Sequence, residues 1–209
     1  GCSRADTAGG GTVGALVVDN RSGLPGFVSN WHVLCGPYGA PGDRITVLDV
    51  SMDKNRAALD KVLGNGASVF YVDHHFPGEI PQHSNLTAII NESADVCTAA
   101  LVNGYLKGRH LDWAVTGAFG DNLKDTAHSL AKGLDITEKD LASLETLGTY
   151  INYNGYGPSI EDLHFDPKEL YLRLYAAEDP LDFVHNSADF DTLSTGYHED
   201  MAQAEALQP

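Results

Sequence analysis

The chain has 209 residues, 43% hydrophobic and 20% charged, with 13 Lys and Arg against 29 Asp and Glu for a formal charge of −16. At roughly 150 residues per domain this is one domain or one plus a fragment; the apolar share argues against wholesale disorder, and no apolar run approaches the roughly 18 residues of a membrane-spanning helix. Such an acidic chain is poorly suited to gripping a long phosphate backbone, which draws on many Lys and Arg contacts, yet it can hold a phosphorylated ligand through divalent cations.

Residues 1–42 are glycine-rich and read as β. Val13 to Val18 is apolar, Asp19-Asn20-Arg21-Ser22-Gly23 is a turn signal, and Phe27-Val28 begins a second short run. From Arg44 the pattern changes. Ile45-Thr46-Val47-Leu48-Asp49-Val50 is an apolar strand broken by one carboxylate. Ser51 or Asp53 is placed to cap a helix over about 53–63, with Leu59, Val62 and Leu63 on one face and Gly64 as a stop. Ser68-Val69-Phe70-Tyr71-Val72 follows as a second strand. Strand, helix and strand in this order predict a βαβ unit, its strands parallel, buried on both faces and joined by a right-handed crossover.

Residues 86–90 form a third candidate strand and 94–106 a helix. The apolar stretch 111–119 fits a buried helix or a strand, which periodicity alone does not separate. The remainder reads as helical: Thr137 caps 138–150, Pro167 opens a helix to 175, and 187–207 is at least partly helical. Asn152-Tyr153-Asn154-Gly155-Tyr156-Gly157-Pro158 is a loop signal. The expected fold is therefore α/β, a mostly parallel sheet flanked by helices, with a short β-hairpin-like N-terminal segment and a helical C-terminal part. Cys2, Cys35 and Cys97 include no CxxC, so neither a disulfide scaffold nor a zinc ribbon is expected, and Cys97 reads as a small core residue. The start lacks a basic-then-apolar leader pattern, from which a cytoplasmic setting is expected.

The βαβ reading carries a chemical consequence. Asp49 falls near the end of its strand and Asp73-His74-His75 just after the end of the next, so adjacent parallel strands bring both to one sheet edge. Ligands collect at that edge in open parallel sheets. A carboxylate interrupting an apolar strand is costly unless its charge is compensated; a divalent cation does so, and carboxylate with imidazole suits Mn²⁺. Helix capping by Asp49 and ordinary loop histidines are the alternative. Asp121 surfaces at the end of the apolar 113–119 stretch, either as a cap for a helix beginning near Leu123 or as a further ligand. Together Asp49, His74, His75 and Asp121 are the residue types of a two-metal phosphoryl-hydrolysis centre.

Three segments resemble motifs of the DHH phosphoesterases: Ile45-Thr46-Val47-Leu48-Asp49-Val50-Ser51, Val69-Phe70-Tyr71-Val72-Asp73-His74-His75 and Ala118-Phe119-Gly120-Asp121-Asn122. They match the family's second, third and fourth motifs in order and spacing, over residues 43–209. The resemblance implies hydrolysis of phosphodiester or phosphoanhydride bonds with Mn²⁺, or Mg²⁺ or another divalent ion. It implies Asp49, His74 and Asp121 as metal ligands, His75 as the contact to the reacting phosphate, and Asp73 as support orienting the histidines. The implied partner is a phosphorylated small molecule or short oligonucleotide. The family's first motif, an Asp-x-Asp, has no counterpart, since the upstream carboxylates are Asp6, Asp19 and Asp43. A catalytically inactive module holding at most one metal is accordingly the alternative.

Residues 1–42 resemble something else. Gly11-Thr12-Val13-Gly14-Ala15-Leu16-Val17-Val18, Val28-Ser29-Asn30-Trp31-His32-Val33-Leu34 and Gly39-Ala40-Pro41-Gly42-Asp43 look like the start of a bacterial trypsin-like serine protease, with His32 in the place of the catalytic base. A working triad needs a nucleophilic serine and an orienting carboxylate, and no Gly-Asp-Ser-Gly or Gly-x-Ser-x-Gly follows. His32 is read as a vestige, and a protease remnant as the second alternative.

Overall fold

The structure, a computed structural model, describes the backbone of residues 15–18 and 25–28 and the whole of residues 41–207. The chain forms two compact units, Gly1–Val102 and Asn103–Pro209. The segment boundary expected near residue 42 falls inside the first.

In the first unit, β1 (Ala15–Val18) and β2 (Pro25–Val28) pair antiparallel, from Ala15 opposite Val28 to Val18 opposite Pro25. Then come β3 (Arg44–Leu48), α1 (Arg56–Gly64), β4 (Ser68–Asp73) and β5 (Leu86–Ile90). β3, β4 and β5 make a parallel sheet in that order, so the protein is α/β, its sheet flanked by helices. Side chains alternate across a strand and recur every third or fourth residue on a helix. Ile45 and Val47 of β3 and Val69 and Tyr71 of β4 therefore face the sheet side covered by Ala58, Leu59, Val62 and Leu63 of α1, with Met52 and Ala67 closing the same core. Each large aliphatic side chain buried there contributes about 1.5–3 kcal/mol. The other sheet face differs from the expected two-sided burial: Thr46, Leu48 and Phe70 are only half-buried.

The expected helix caps are replaced by a turn. α1 starts at Arg56, and its N-cap is Asn55, which makes no side-chain cap bond. Asn55 instead donates its Nδ2 to the Ser51 carbonyl at 2.8 Å. Ser51 and Asp53 thus belong to the turn between strand and helix. The β4–β5 connection, residues 74–85, contains no helix; a parallel crossover of this length is about the minimum.

α2 (Thr98–Tyr105) crosses the boundary between the units. The second unit is helical among its described residues: α3 (Leu111–Gly120), α4 (Lys124–Ala131), α5 (Glu138–Tyr153), a 3₁₀ turn (Ile160–Asp162), α6 (Pro167–Ala176), α7 (Pro180–Asn186) and α8 (Ala188–Ala206). The ambiguous apolar stretch is the helix α3. Its backbone meets α5 so closely that a Cβ on Gly148 would collide with the Thr116 carbonyl, and one on Gly120 would lie 2.9 Å from the Gly148 carbonyl. Thr137 caps α5 in a reciprocal box with Asp140. α5 extends through Tyr153, absorbing two residues of the expected loop, and Asn154 follows as its C-cap. The Asn154 side chain donates to the Phe165 carbonyl and accepts the Phe165 N–H. Leu147, Tyr150, Leu170, Phe183 and Leu193 form the core of this unit. No described helix is long and apolar enough to cross a membrane.

Candidate metal centre

The site lies at the C-terminal edge of the parallel sheet, in the first unit. Register pairs Leu48 with Val72, so the next residues along, Asp49 and Asp73, emerge abreast. Asp49 leaves β3 with its N–H still bonded to the Val72 carbonyl at 3.0 Å, but its own φ is +60°. Aspartate tolerates this left-handed region better than most residues. The kink ends the strand at Asp49.

One atom each from Asp49, His74 and His75 gathers within 4.8 Å of the others, forming a candidate metal-binding triad. Asp49 Oδ1 lies 3.4 Å from His74 Nε2. One cation can bind both atoms, because two ligands each about 2.1 Å from it lie no more than about 4.2 Å apart.

Both histidine tautomers follow from their second contacts. His74 Nδ1 is 2.8 Å from the Val96 carbonyl; a carbonyl only accepts, so Nδ1 carries the proton and donates. In the neutral ring the Nε2 lone pair is then turned on the Asp49 carboxylate. Two electron-rich atoms at this distance repel unless a proton or a cation stands between them. His75 Nδ1 likewise donates to Asp73 Oδ1 at 2.7 Å, leaving its Nε2 for a ligand or substrate. Histidines that bind metals are commonly oriented this way, by a carboxylate or carbonyl on the far nitrogen.

Asp73 is fully buried, and its Oδ2 has no hydrogen-bond partner among the described residues. The ion-pair partners of Asp49 and Asp73 there are histidines, with no Lys or Arg. A buried carboxylate with one oxygen unsatisfied is costly. The donor set of Asp49, His74 and His75 fits a divalent ion. Burial of Tyr71, followed by the Asp73 charge, holds its phenol far above the ordinary range, fixing it as an O–H donor to the Val50 carbonyl at 2.6 Å. That bond anchors the residue following Asp49.

The expected site residues separate as follows. Asp49, His74 and His75 converge, and Asp73 stands behind His75. Asp121 is exposed at the C-cap of α3 in the second unit, its N–H bonded to the Gly117 carbonyl at 3.0 Å. It does not cap α4, whose N-cap is Leu123. His32 lies outside the described residues. Two groups escaped sequence reasoning: the Val96 carbonyl and the Thr98 hydroxyl, which donates to Asp49 Oδ1 at 2.9 Å. The expected helix began at 94, which would have spent the Val96 carbonyl inside it. The helix starts at Thr98 instead. Comparison with protein-family models, with curated proteins and with solved structures yields no match.

Proposed function

We propose that this chain is a divalent-metal-dependent phosphoesterase, with Mn²⁺ as its ion, hydrolysing phosphodiester or phosphoanhydride bonds. The observation that carries the reading is the Asp49–His74 pair at 3.4 Å, a carboxylate oxygen and an imidazole nitrogen brought together at the C-terminal edge of the parallel sheet, where ligands collect in such folds. A divalent cation bound there supplies Lewis acidity toward a phosphoryl oxygen and acidifies water.

The residues divide by exposure. His74, with 18% of its side chain accessible, and Asp49 grip the cation, while His75, at 49%, faces the substrate side. Asp73 keeps the His75 ring oriented through Nδ1–H, so that Nε2 meets the phosphate and moves a proton there, a role worth about 10²–10⁴ in rate. Carboxylate and imidazole donors favour Mn²⁺ over Mg²⁺, which prefers oxygen ligands and retained waters. With a charge of −16, the chain is better matched to a small phosphorylated molecule or short oligonucleotide than to a long nucleic acid.

The test is hydrolysis of bis-p-nitrophenyl phosphate with added Mn²⁺. Turnover that vanishes in His74→Ala and Asp49→Ala supports the reading. Tight Mn²⁺ binding without turnover of this ester, of pyrophosphate or of a dinucleotide overturns it in favour of a metal-binding module. The absence of an Asp-x-Asp upstream of Asp49 favours that second reading.

A further inference from the structure

The segment entering α2 is the structural clamp of this site. Val96 and Thr98 are two residues apart, and each holds a different member of the triad. The Val96 carbonyl accepts the His74 Nδ1–H at 2.8 Å, and the Thr98 hydroxyl donates to Asp49 Oδ1 at 2.9 Å. Thr98 is buried, 6% exposed. A carboxylate accepts only, so the direction of the Thr98 bond is fixed.

We propose that Thr98 is a positioning residue for the cation site, acting through Asp49. The inference rests on the reading of this centre as a metal site, and not on which ester it cleaves. Asp49 Oδ1 has two lone-pair directions. One receives the Thr98 proton, and the other is left for the gap facing His74 Nε2, 3.4 Å away. Without the hydroxyl, the carboxylate is free to rotate about its terminal torsion, which is intrinsically broad. The backbone alone does not prevent this rotation, because the Asp49 N–H bond to Val72 fixes the main chain and leaves the side chain undetermined. The hydroxyl therefore sets the Asp49–His74 spacing that a cation requires. The same segment fixes the His74 ring through Val96, so the two donors are aligned against one short piece of chain.

The experiment measures Mn²⁺ affinity by isothermal titration, and the bound-ion signal by electron paramagnetic resonance, on the full chain carrying Thr98→Val or Thr98→Ser. Loss of a group that orients a ligand costs about 10–100-fold in metal affinity. The expected result is a loss of this size in Thr98→Val, near-wild-type affinity in Thr98→Ser, which keeps the hydroxyl, and an altered resonance line shape in Thr98→Val. Melting of both metal-free variants at or near the wild-type temperature shows that a folding defect is not the cause. If Thr98→Val is less stable, affinity measured well below its transition reports the same quantity. Wild-type affinity and line shape in Thr98→Val, with binding abolished in Asp49→Ala, overturn the role of Thr98 and leave the metal centre standing. Absence of Mn²⁺ binding by the unmodified chain overturns both.

Discussion

Asp49 Oδ1 and His74 Nε2 face each other at 3.4 Å across the end of two parallel strands, with the His74 proton committed to the Val96 carbonyl on the opposite side of the ring. Neither a neutral imidazole nor a carboxylate gains from such an approach by itself. A proton or a cation between them converts mutual repulsion into shared attraction.

The first prediction is therefore thermal. A ligand that favours the folded state stabilises it by about 2.7 kcal/mol at a hundredfold excess over its dissociation constant, which for a chain of this size raises the melting temperature by roughly 5–10 °C. Differential scanning fluorimetry with Mn²⁺ is expected to show this shift in the wild type and its loss in Asp49→Ala and His74→Ala. An unshifted wild-type melt at millimolar Mn²⁺ contradicts the metal assignment.

His75 and His74 are expected to part company in a second measurement. Because His75 is the more exposed and is backed by Asp73, His75→Ala should keep most of the Mn²⁺-induced shift and lose about a hundredfold or more in ester hydrolysis. Loss of metal binding equal to that in His74→Ala would make His75 a third ligand instead of a contact to phosphate.

Asp73 sets stability against function. Its buried carboxylate has one oxygen without a hydrogen-bond partner among the described residues, and a buried polar atom left unsatisfied is costly. Asp73→Asn removes the charge and keeps the shape, so the metal-free protein is expected to melt at a higher temperature while its response to Mn²⁺ shrinks. A lower metal-free melting temperature would show that the charge is already compensated.

Tyr71→Phe deletes the proton donated to the Val50 carbonyl. Leaving a buried acceptor unsatisfied costs about 1–3 kcal/mol, to be read from urea unfolding. Since Val50 follows Asp49, weaker Mn²⁺ binding is expected alongside.

Two glycine substitutions should act in opposite directions. Gly148→Ala forces a methyl group into the α3 backbone and is expected to destabilise by about 1–3 kcal/mol or more. Gly64→Ala, at the end of α1 with open space around the added methyl, is expected to stabilise by up to about 1 kcal/mol. In the same unit as Gly148, Thr137→Ala should cost about 1 kcal/mol at neutral pH. The Thr137 side-chain and then backbone hydrogen bonds hold the Asp140 carboxyl below its ordinary range. A carboxyl depressed on folding stabilises above its unfolded pKa and ceases to do so as pH falls through its folded value. The penalty of Thr137→Ala should accordingly shrink in acid, below the usual carboxylate range.

Local order was legible because short-range rules govern it. The strands β3 and β4, the bounds of β5, the Thr137 cap and the Pro167 helix start follow from neighbours a few residues apart. Parallel pairing also followed from the helix lying between the two strands, and it carried Asp49 and the Asp73-His74-His75 triplet to one edge. α1 starts at Arg56, later than the expected 53, because the Asn55 side chain bonds back to the Ser51 carbonyl and residues 52–55 form a turn. Periodicity does not separate helix from strand over 111–119, where Asp112 and Thr116 are the polar breaks in a mostly apolar run; the structure forms a helix there, packed against Gly148. The sequence by itself determined which side chains reach the sheet edge, since strand period and register leave no other place for them. Only the tertiary structure decided what orients them: the Thr98 hydroxyl and the Val96 carbonyl come from residues 49 and 22 positions away from their partners. A hydrogen bond of that separation has no signature in local spacing, because it exists only once the chain has brought its two ends together.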